Sequence, residues 1–248
     1  MDDRMAVVTG AGSGIGQATA LRLVERGLRV CCVGRREPKL KETATLIGER
    51  ATVVPADIST EDGIATVRAA VGGAAVAALV HAAAVEGIVS LADTNRQTFD
   101  RLINANLAGP LFLTQALTTV LDDGAGVVFV GSISALHGRQ RHAAYAASKA
   151  GLLGLTTSLA VELAPRVRVN CVSPGATNTP MFKQAIVDYL AAYDPSEAER
   201  VAAAEQTRLL LRRIAEPDEI ATAIVHLALD ASYSTGTVLT IDGGYCAR

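Results

Sequence analysis

The sequence predicts a single-domain α/β fold, a doubly wound parallel sheet of seven strands with helices on both faces. Three observations carry that reading. Seven short apolar runs, at 6–9, 29–34, 51–55, 77–81, 127–131, 167–173 and 238–241, are nearly continuous in hydrophobicity, as strands covered on both faces are. Longer amphipathic stretches separate them, so strand and helix alternate along the chain. No repeat, low-complexity tract or Pro/Ser-rich linker divides the 248 residues, so 1–248 reads as one unit.

The helices follow in order. The first, 15–26, is closed by Gly27, and a second covers 38–49. Ser59 or Thr60 caps a third, 60–71. Long patterns cover 96–121 and 143–164, and Glu216-Pro217-Asp218-Glu219 opens 217–229 with Pro and acids in its first turn. After the sixth strand, two helical patterns, 181–193 and 197–211, flank Asp194-Pro195-Ser196.

Hydrophobic residues make up 50% of the chain and aromatics 4%, with no Trp, which requires an aliphatic core and argues against disorder. A net charge of −2 offers no electrostatic footprint for nucleic acid or an anionic membrane. Cys31, Cys32, Cys171 and Cys246 lack metal or redox spacing, so no metal site is expected and the thiols read as reduced. The start of the chain has no signal-peptide pattern, and the stretch 71–85 is too short and small-residued to span a bilayer. A soluble, cytoplasmic protein is expected.

In such sheets ligands bind beyond the carboxyl ends of the strands. The first strand runs into Thr9-Gly10-Ala11-Gly12-Ser13-Gly14-Ile15-Gly16 immediately before a helix. Glycines there allow a sharp turn and close approach to a pyrophosphate held by helix N–H groups. Tyr145 and Lys149 lie one turn apart on a later helix, where an ammonium would lower the phenol's pKa. The fifth strand delivers Ser132 and Ser134, and Asn106 lies within an apolar helix, where its amide needs a partner.

Thr9-Gly10-x-x-x-Gly14-x-Gly16, followed in order by Asn106, Ser132 and Tyr145-x-x-x-Lys149, resembles the classical short-chain dehydrogenase/reductase family, including its 3-oxoacyl-ACP reductase-like members. The resemblance covers essentially the whole chain. It implies a Rossmann fold, an NAD(P) cofactor, and interconversion of a ketone and a secondary alcohol on a small-molecule carbonyl or alcohol substrate. It makes Tyr145 the general acid/base and Ser132 the group that polarises the carbonyl, with Ser134 the fallback. Lys149 would hold the ribose hydroxyls and lower the Tyr145 pKa, and Asn106 would hold a water that links Lys149 to solvent.

For the cofactor, the resemblance implicates Gly10, Gly12, Ser13, Gly14, Ile15 and Gly16 in the turn, and Asp57 and Ile58 at the adenine. Asp57 also reads as a helix-entry residue. Ala83, Tyr145, Lys149, Pro174, Gly175, Thr177 and Thr179 would meet the nicotinamide half. After the second strand, Gly34 stands where a NAD enzyme carries an acid, and Arg35 and Arg36 follow. Two guanidiniums without that carboxylate favour NADP(H) over NAD(H), Arg35 first, unless they are solvated loop residues. His81-Ala82-Ala83-Ala84 departs from the family's Asn-Asn-Ala-Gly, with His81 read as a structural hydrogen-bonding residue.

Substrate choice would rest on a lid at about 177–211, in which Met181, Phe182, Ile186, Tyr189, Leu190 and Tyr193 face the pocket or simply pack. The basic connection 137–142 reads either as solvated loop or as a site for an anionic substrate through Arg139 and Arg141, with His137 nearest the active site. A homotetramer is expected, a dimer the alternative, through the two long helices. The rival functional reading is a non-catalytic dinucleotide sensor, which would not need Asn106, Ser132, Tyr145 and Lys149 together.

Overall fold

The computed structural model describes residues 4–191, 196, 200 and 207–247. Seven strands form one sheet: β1 (Met5–Thr9), β2 (Arg29–Gly34), β3 (Ala51–Pro55), β4 (Val76–His81), β5 (Leu121–Val130), β6 (Arg168–Pro174) and β7 (Val238–Ile241). Every pairing is parallel, and the order is β3-β2-β1-β4-β5-β6-β7. The chain therefore builds outward from β1 in one direction and restarts beside it with β4 in the other. That reversal opens a crevice at the carboxyl ends of β1 and β4.

Alternate residues of each strand feed two cores. Val7, Cys31, Val33, Leu79, Val127, Phe129 and Val169 pack on one face, with Leu113, Leu117 and Leu152 from the helices. Ala6, Val8, Val30, Cys32, Val80, Val128 and Val172 pack on the other, with Ala20, Leu23, Ile220 and Ile224. With both faces covered, no strand position favours a polar residue, which is why the runs read as continuous hydrophobicity. The first face is covered by α3 (Glu61–Val71), α4 (Arg96–Ile103), α5 (Gly109–Leu117) and α6 (Ala143–Leu163). The second carries α1 (Gly14–Glu25), α2 (Glu37–Ile47) and, later in the chain, α8 (Pro217–Val225). Between α6 and α8 comes α7 (Pro180–Leu190).

The caps fall where local chemistry demands. Thr60, not Ser59, caps α3 by accepting from the Gly63 N–H at 3.1 Å. Gly27 closes α1 at φ +87° and donates to the Val24 carbonyl. Glu216 and Glu219 form a reciprocal capping box on α8. Arg22 of α1 and Arg26 at its C-cap make bidentate pairs with Asp218 of α8 and with Asp230 in the turn that follows α8, tying these two segments of one face together.

The helix expected over 96–121 runs without interruption to Leu117 but carries a π bulge at Asn104–Ala108 between α4 and α5, and Leu121 already belongs to β5. Within the bulge the buried Asn106 side chain bonds the Val85 backbone, and at Gly109 an added Cβ would stand 2.6 Å from the Ile58 carbonyl. The fifth strand also begins six residues before the expected 127, because its Asp122-Asp123-Gly124 stretch has no strand pattern. Similarly, 217–229 is α8 followed by a π turn, His226–Asp230. Of the helix expected over 197–211, Thr207 and Arg208 are helical and 209–211 are not; most of 197–206 lies outside the described residues. Among the described residues no helix is long and apolar enough to cross a membrane.

Candidate active site

The glycine turn sits in the crevice between β1 and β4, and its glycines answer first to the chain itself. At Gly10, φ +71°, an added Cβ would lie 2.8 Å from the backbone of Ala82 and Ala83. At Gly16 it would lie 2.4 Å from the Gly10 carbonyl oxygen, so the first turn of α1 can seat against the loop only without a side chain. Gly14 lies as closely under Thr179, which brings the loop after β6 onto the turn. Gly16→Ala should cost about 1–3 kcal/mol of stability by overpacking and weaken dinucleotide binding. Thermal unfolding and a dinucleotide titration of that variant check both effects.

A groove of about 570 Å³ runs from this turn past Gly12, Ser13, Ile15, Arg35, Arg36, Asp57, Ile58 and Ala83. Gly14, Ile15 and Gly16, the first residues of α1, line it, at the end of the helix where backbone N–H groups lack intrahelical partners and the dipole is positive. Arg36 donates to the Ser13 hydroxyl at 3.2 Å, and Arg35 stands 3.9 Å from the Asp57 carboxylate. Asp57 also accepts from Ser59, so it shapes the entry to α3 while facing the groove. A second cavity, of about 450 Å³, shares Ile15, Ala82, Ala84, Thr179, Met181 and Ala185 with the first. The residues fit a dinucleotide: anion-binding helix end, two cations and a carboxylate at one end, and a continuous passage to Tyr145 at the other.

Ser132, Tyr145, Lys149, Pro174, Gly175 and Thr177 all line the second cavity. Ser132 follows β5 and caps the short turn Ile133–Ala135 by accepting from the Ser134 N–H, which fixes its hydroxyl. Its hydroxyl acts on the Tyr145 phenol, favouring the ionised form. Ser134 is 6% exposed and lines the wall. Lys149 donates to the Val130 carbonyl at 2.8 Å, with its Nζ 5.9 Å from the centre of the Tyr145 ring. Thr177 donates to the Gly175 carbonyl, and Thr179 caps α7, using one lone pair and leaving its hydrogen to donate.

The Asn106 amide accepts from the Val85 N–H and donates to the Val85 carbonyl and the Ser148 hydroxyl, itself bonded to the Tyr145 carbonyl. Its side chain ties the π turn to the β4 loop and to α6. The Tyr145 phenol lies above its ordinary pKa, where a lowered one was expected: burial, then the Glu86 carboxylate, push it up, against the Ser132 hydroxyl and the Arg139 guanidinium. Burial pushes the Lys149 ammonium down to about 8.

The apolar wall is as expected: Met181, Phe182, Ile186, Tyr189 and Leu190 line the cavity, while Tyr193 lies outside the described residues. The basic connection divides. Arg139 lies in the cavity with its guanidinium 5.8 Å from the Tyr189 ring centre, whereas Arg141 does not line it. His137 is not the nearest histidine; it packs edge-on against Tyr245 and meets Arg208. His142, three residues before Tyr145, lines the cavity instead, opposite Glu86. Neither was singled out from sequence; the available signals were the i, i+3 spacing of His142 to Tyr145 and a lone acid in the apolar stretch after β4.

His81 closes β4 and is structural. Its Nε2 lies 2.8 Å from the Thr114 hydroxyl and its ring stacks on Phe129. Burial pushes its pKa down to about 3.

A parallel doubly wound sheet with a glycine turn at its switch point, a groove for a dinucleotide and a Ser/Tyr/Lys cluster beside it defines a Rossmann-type oxidoreductase. The family described as "Enoyl-(Acyl carrier protein) reductase" matches residues 10–246. The chain belongs to the short-chain dehydrogenase/reductase family. It is 37% identical to a cis-4-hydroxycyclohexanecarboxylate dehydrogenase of Sinomonas cyclohexanicum, over 99% of this chain and 97% of that one. It is 36% identical to an uncharacterized short-chain type dehydrogenase/reductase of Sinorhizobium fredii, matching 99% of this chain but spanning only 45% of that relative's length. An actinorhodin polyketide ketoreductase variant solved with NADPH superposes with a TM-score of 0.90 at 29% identity, covering 100% of this chain and 98% of that one. Like its family, the chain is an oxidoreductase for carbonyl or alcohol substrates.

Proposed function

We propose that the chain interconverts a ketone and a secondary alcohol with NADP(H), Tyr145 serving as general acid and base. The observation that carries the reading is that Ser132, Tyr145 and Lys149 line one cavity that opens onto the cofactor groove. In reduction, Tyr145 donates its phenolic proton to the carbonyl oxygen while the Ser132 hydroxyl holds that oxygen; in oxidation both steps reverse. The nicotinamide, when bound, supplies or accepts the hydride at the reacting carbon. Lys149 holds the ribose, and Asn106, through Ser148, fixes the helix turn that presents Tyr145.

The likeness to a ketoreductase and to a hydroxy-acid dehydrogenase supports carbonyl chemistry over reduction of a carbon–carbon double bond, although the matching family is described as an enoyl reductase. The walls, Ile88, Ile133, Phe182, Ile186 and Ile214, suit an apolar substrate body. Apolar Phe112 and Val161, exposed on α5 and α6, support assembly through these helices into a homotetramer.

Oxidation of NADPH and NADH against a panel of ketones, including acyl thioesters, tests both halves of the reading. NADPH should be preferred. Arg35→Ser with Arg36→Ser should raise the KM for NADPH by about 10–100-fold, the worth of one or two charge-assisted hydrogen bonds, and leave that for NADH within about two-fold. Equal losses with both cofactors would remove the assignment of the arginines to a 2′-phosphate.

A further inference from the structure

Arg139 lines the cavity that holds Tyr145 and does not line the cofactor groove, so it is placed for the substrate rather than the dinucleotide. It lies half-buried on the connection between the Ile133–Ala135 turn and α6, with its guanidinium carbon over the Tyr189 ring, 5.8 Å from the centroid. A guanidinium over a ring keeps its N–H donors in its own plane, where two parallel ones match the two oxygens of a carboxylate. The contact with Tyr189 of α7 also limits the side chain's freedom, so less is lost when an anion binds.

A series of rings joins this cation to the reacting end. The Tyr145 ring centroid is 6.1 Å from that of His142, which is 6.1 Å from that of Tyr189, and all four side chains line the one cavity. Ile133, Phe182, Ile186 and Ile214 add apolar wall. The other charged side chains on that wall are engaged elsewhere. Lys149 donates to the Val130 carbonyl, and Glu86, which also lines the groove, faces Nε2 of His142 at 3.6 Å.

We propose that the substrate is an oxo acid, or the matching hydroxy acid, whose carboxylate is held by Arg139 at a distance from the reacting carbonyl. The inference rests on the ketone–alcohol chemistry proposed above and names its substrate class. An apolar body lies along the rings and the aliphatic wall, and the charge at its end sets the register that brings the carbonyl to Tyr145. One guanidinium balances the single charge of a carboxylate, whereas a phosphate monoester brings a second. Arg141 of the same connection does not line the cavity and has no part in the site.

Binding is read first, without turnover. Calorimetric titration of the chain with octanoate and with octanamide compares one apolar body with and without the charge. Octanoate should bind at least tenfold more tightly. Arg139→Gln should weaken octanoate by about 10–100-fold, the worth of one bidentate charge-assisted contact, and leave octanamide within about two-fold. Arg139→Lys keeps the charge without the planar fork and should recover part of the loss. Arg141→Gln should leave octanoate within about two-fold. Absent or equal binding of the two ligands would overturn the proposal. So would equal losses in Arg139→Gln and Arg141→Gln, which a diffuse field of the basic connection gives, and so would tighter binding of hexyl phosphate than of octanoate. Turnover is read separately, with NADPH and 7-oxooctanoate against its methyl ester, where the Arg139→Gln loss should fall on the KM for the acid. Octanoate binding that depends on Arg139 in a chain that reduces no ketone would keep the anion site and remove the acid–base reading.

Discussion

Tyr145→Phe should lower turnover by about 10²–10⁴-fold, the usual contribution of a positioned acid or base, while dinucleotide affinity stays within about two-fold. The substitution removes one oxygen but keeps the ring against His142 and the wall of the cavity. Cofactor titration by fluorescence and steady-state kinetics on one preparation read the two quantities. Near-parent turnover would eliminate Tyr145 as the proton donor, and a chain silent with every ketone before mutation would favour a dinucleotide sensor. Because burial and Glu86 both hold the phenol above its ordinary pKa, ketone reduction should persist to high pH, whereas alcohol oxidation should climb as the solution becomes alkaline.

His81 should make the fold acid-sensitive. The Thr114 hydroxyl donates to the Pro110 carbonyl and so accepts from His81 Nε2–H, leaving Nδ1 without a hydrogen-bond partner among the described residues. A second proton would create a buried cation with no acceptor, and the folded pKa is accordingly pushed from 6.5 to about 3. The sign follows from proton uptake: between these values the unfolded chain binds the proton and the folded chain does not. Stability is complete above about pH 6.5 and is lost as pH falls toward 3, by on the order of a few kcal/mol. His81→Gln keeps an N–H for Thr114 and does not titrate. Urea unfolding should find it close to the parent at pH 7.5 and more stable than the parent at pH 4.5. Parallel pH dependences in the two proteins would show that the buried imidazole is not the acid-sensitive group.

The strand ends were legible in the sequence because burial on both faces leaves an unbroken apolar signal, and each functional motif follows one of them. The alternation of strand and helix likewise implied the sheet and its crevice. What escaped depends on contacts between distant segments. Nothing local to 96–121 reveals that Asn106 will sit in a π bulge and bond the Val85 backbone, or that Gly109 must pass close to Ile58. The choice between His137 and His142 likewise depends on how the connection folds back over the cavity. The charge at Tyr145 was misjudged for a related reason. Spacing put Lys149 one turn away, but its ammonium is bonded to the Val130 carbonyl, while Glu86 arrives from the loop after β4.

The glycine turn has a consequence for how tightly a dinucleotide can be held. Gly10 and Gly16 are demanded by the chain's own backbone contacts, so the loop takes its shape during folding, before any ligand arrives. The ordering entropy that a floppy phosphate loop would lose at each binding event is already lost once, in the folded state. A ligand therefore meets a preorganised cradle. On the function proposed above, discrimination between related cofactors falls to Arg35 and Arg36 at its exposed rim, where side chains can change without disturbing the turn.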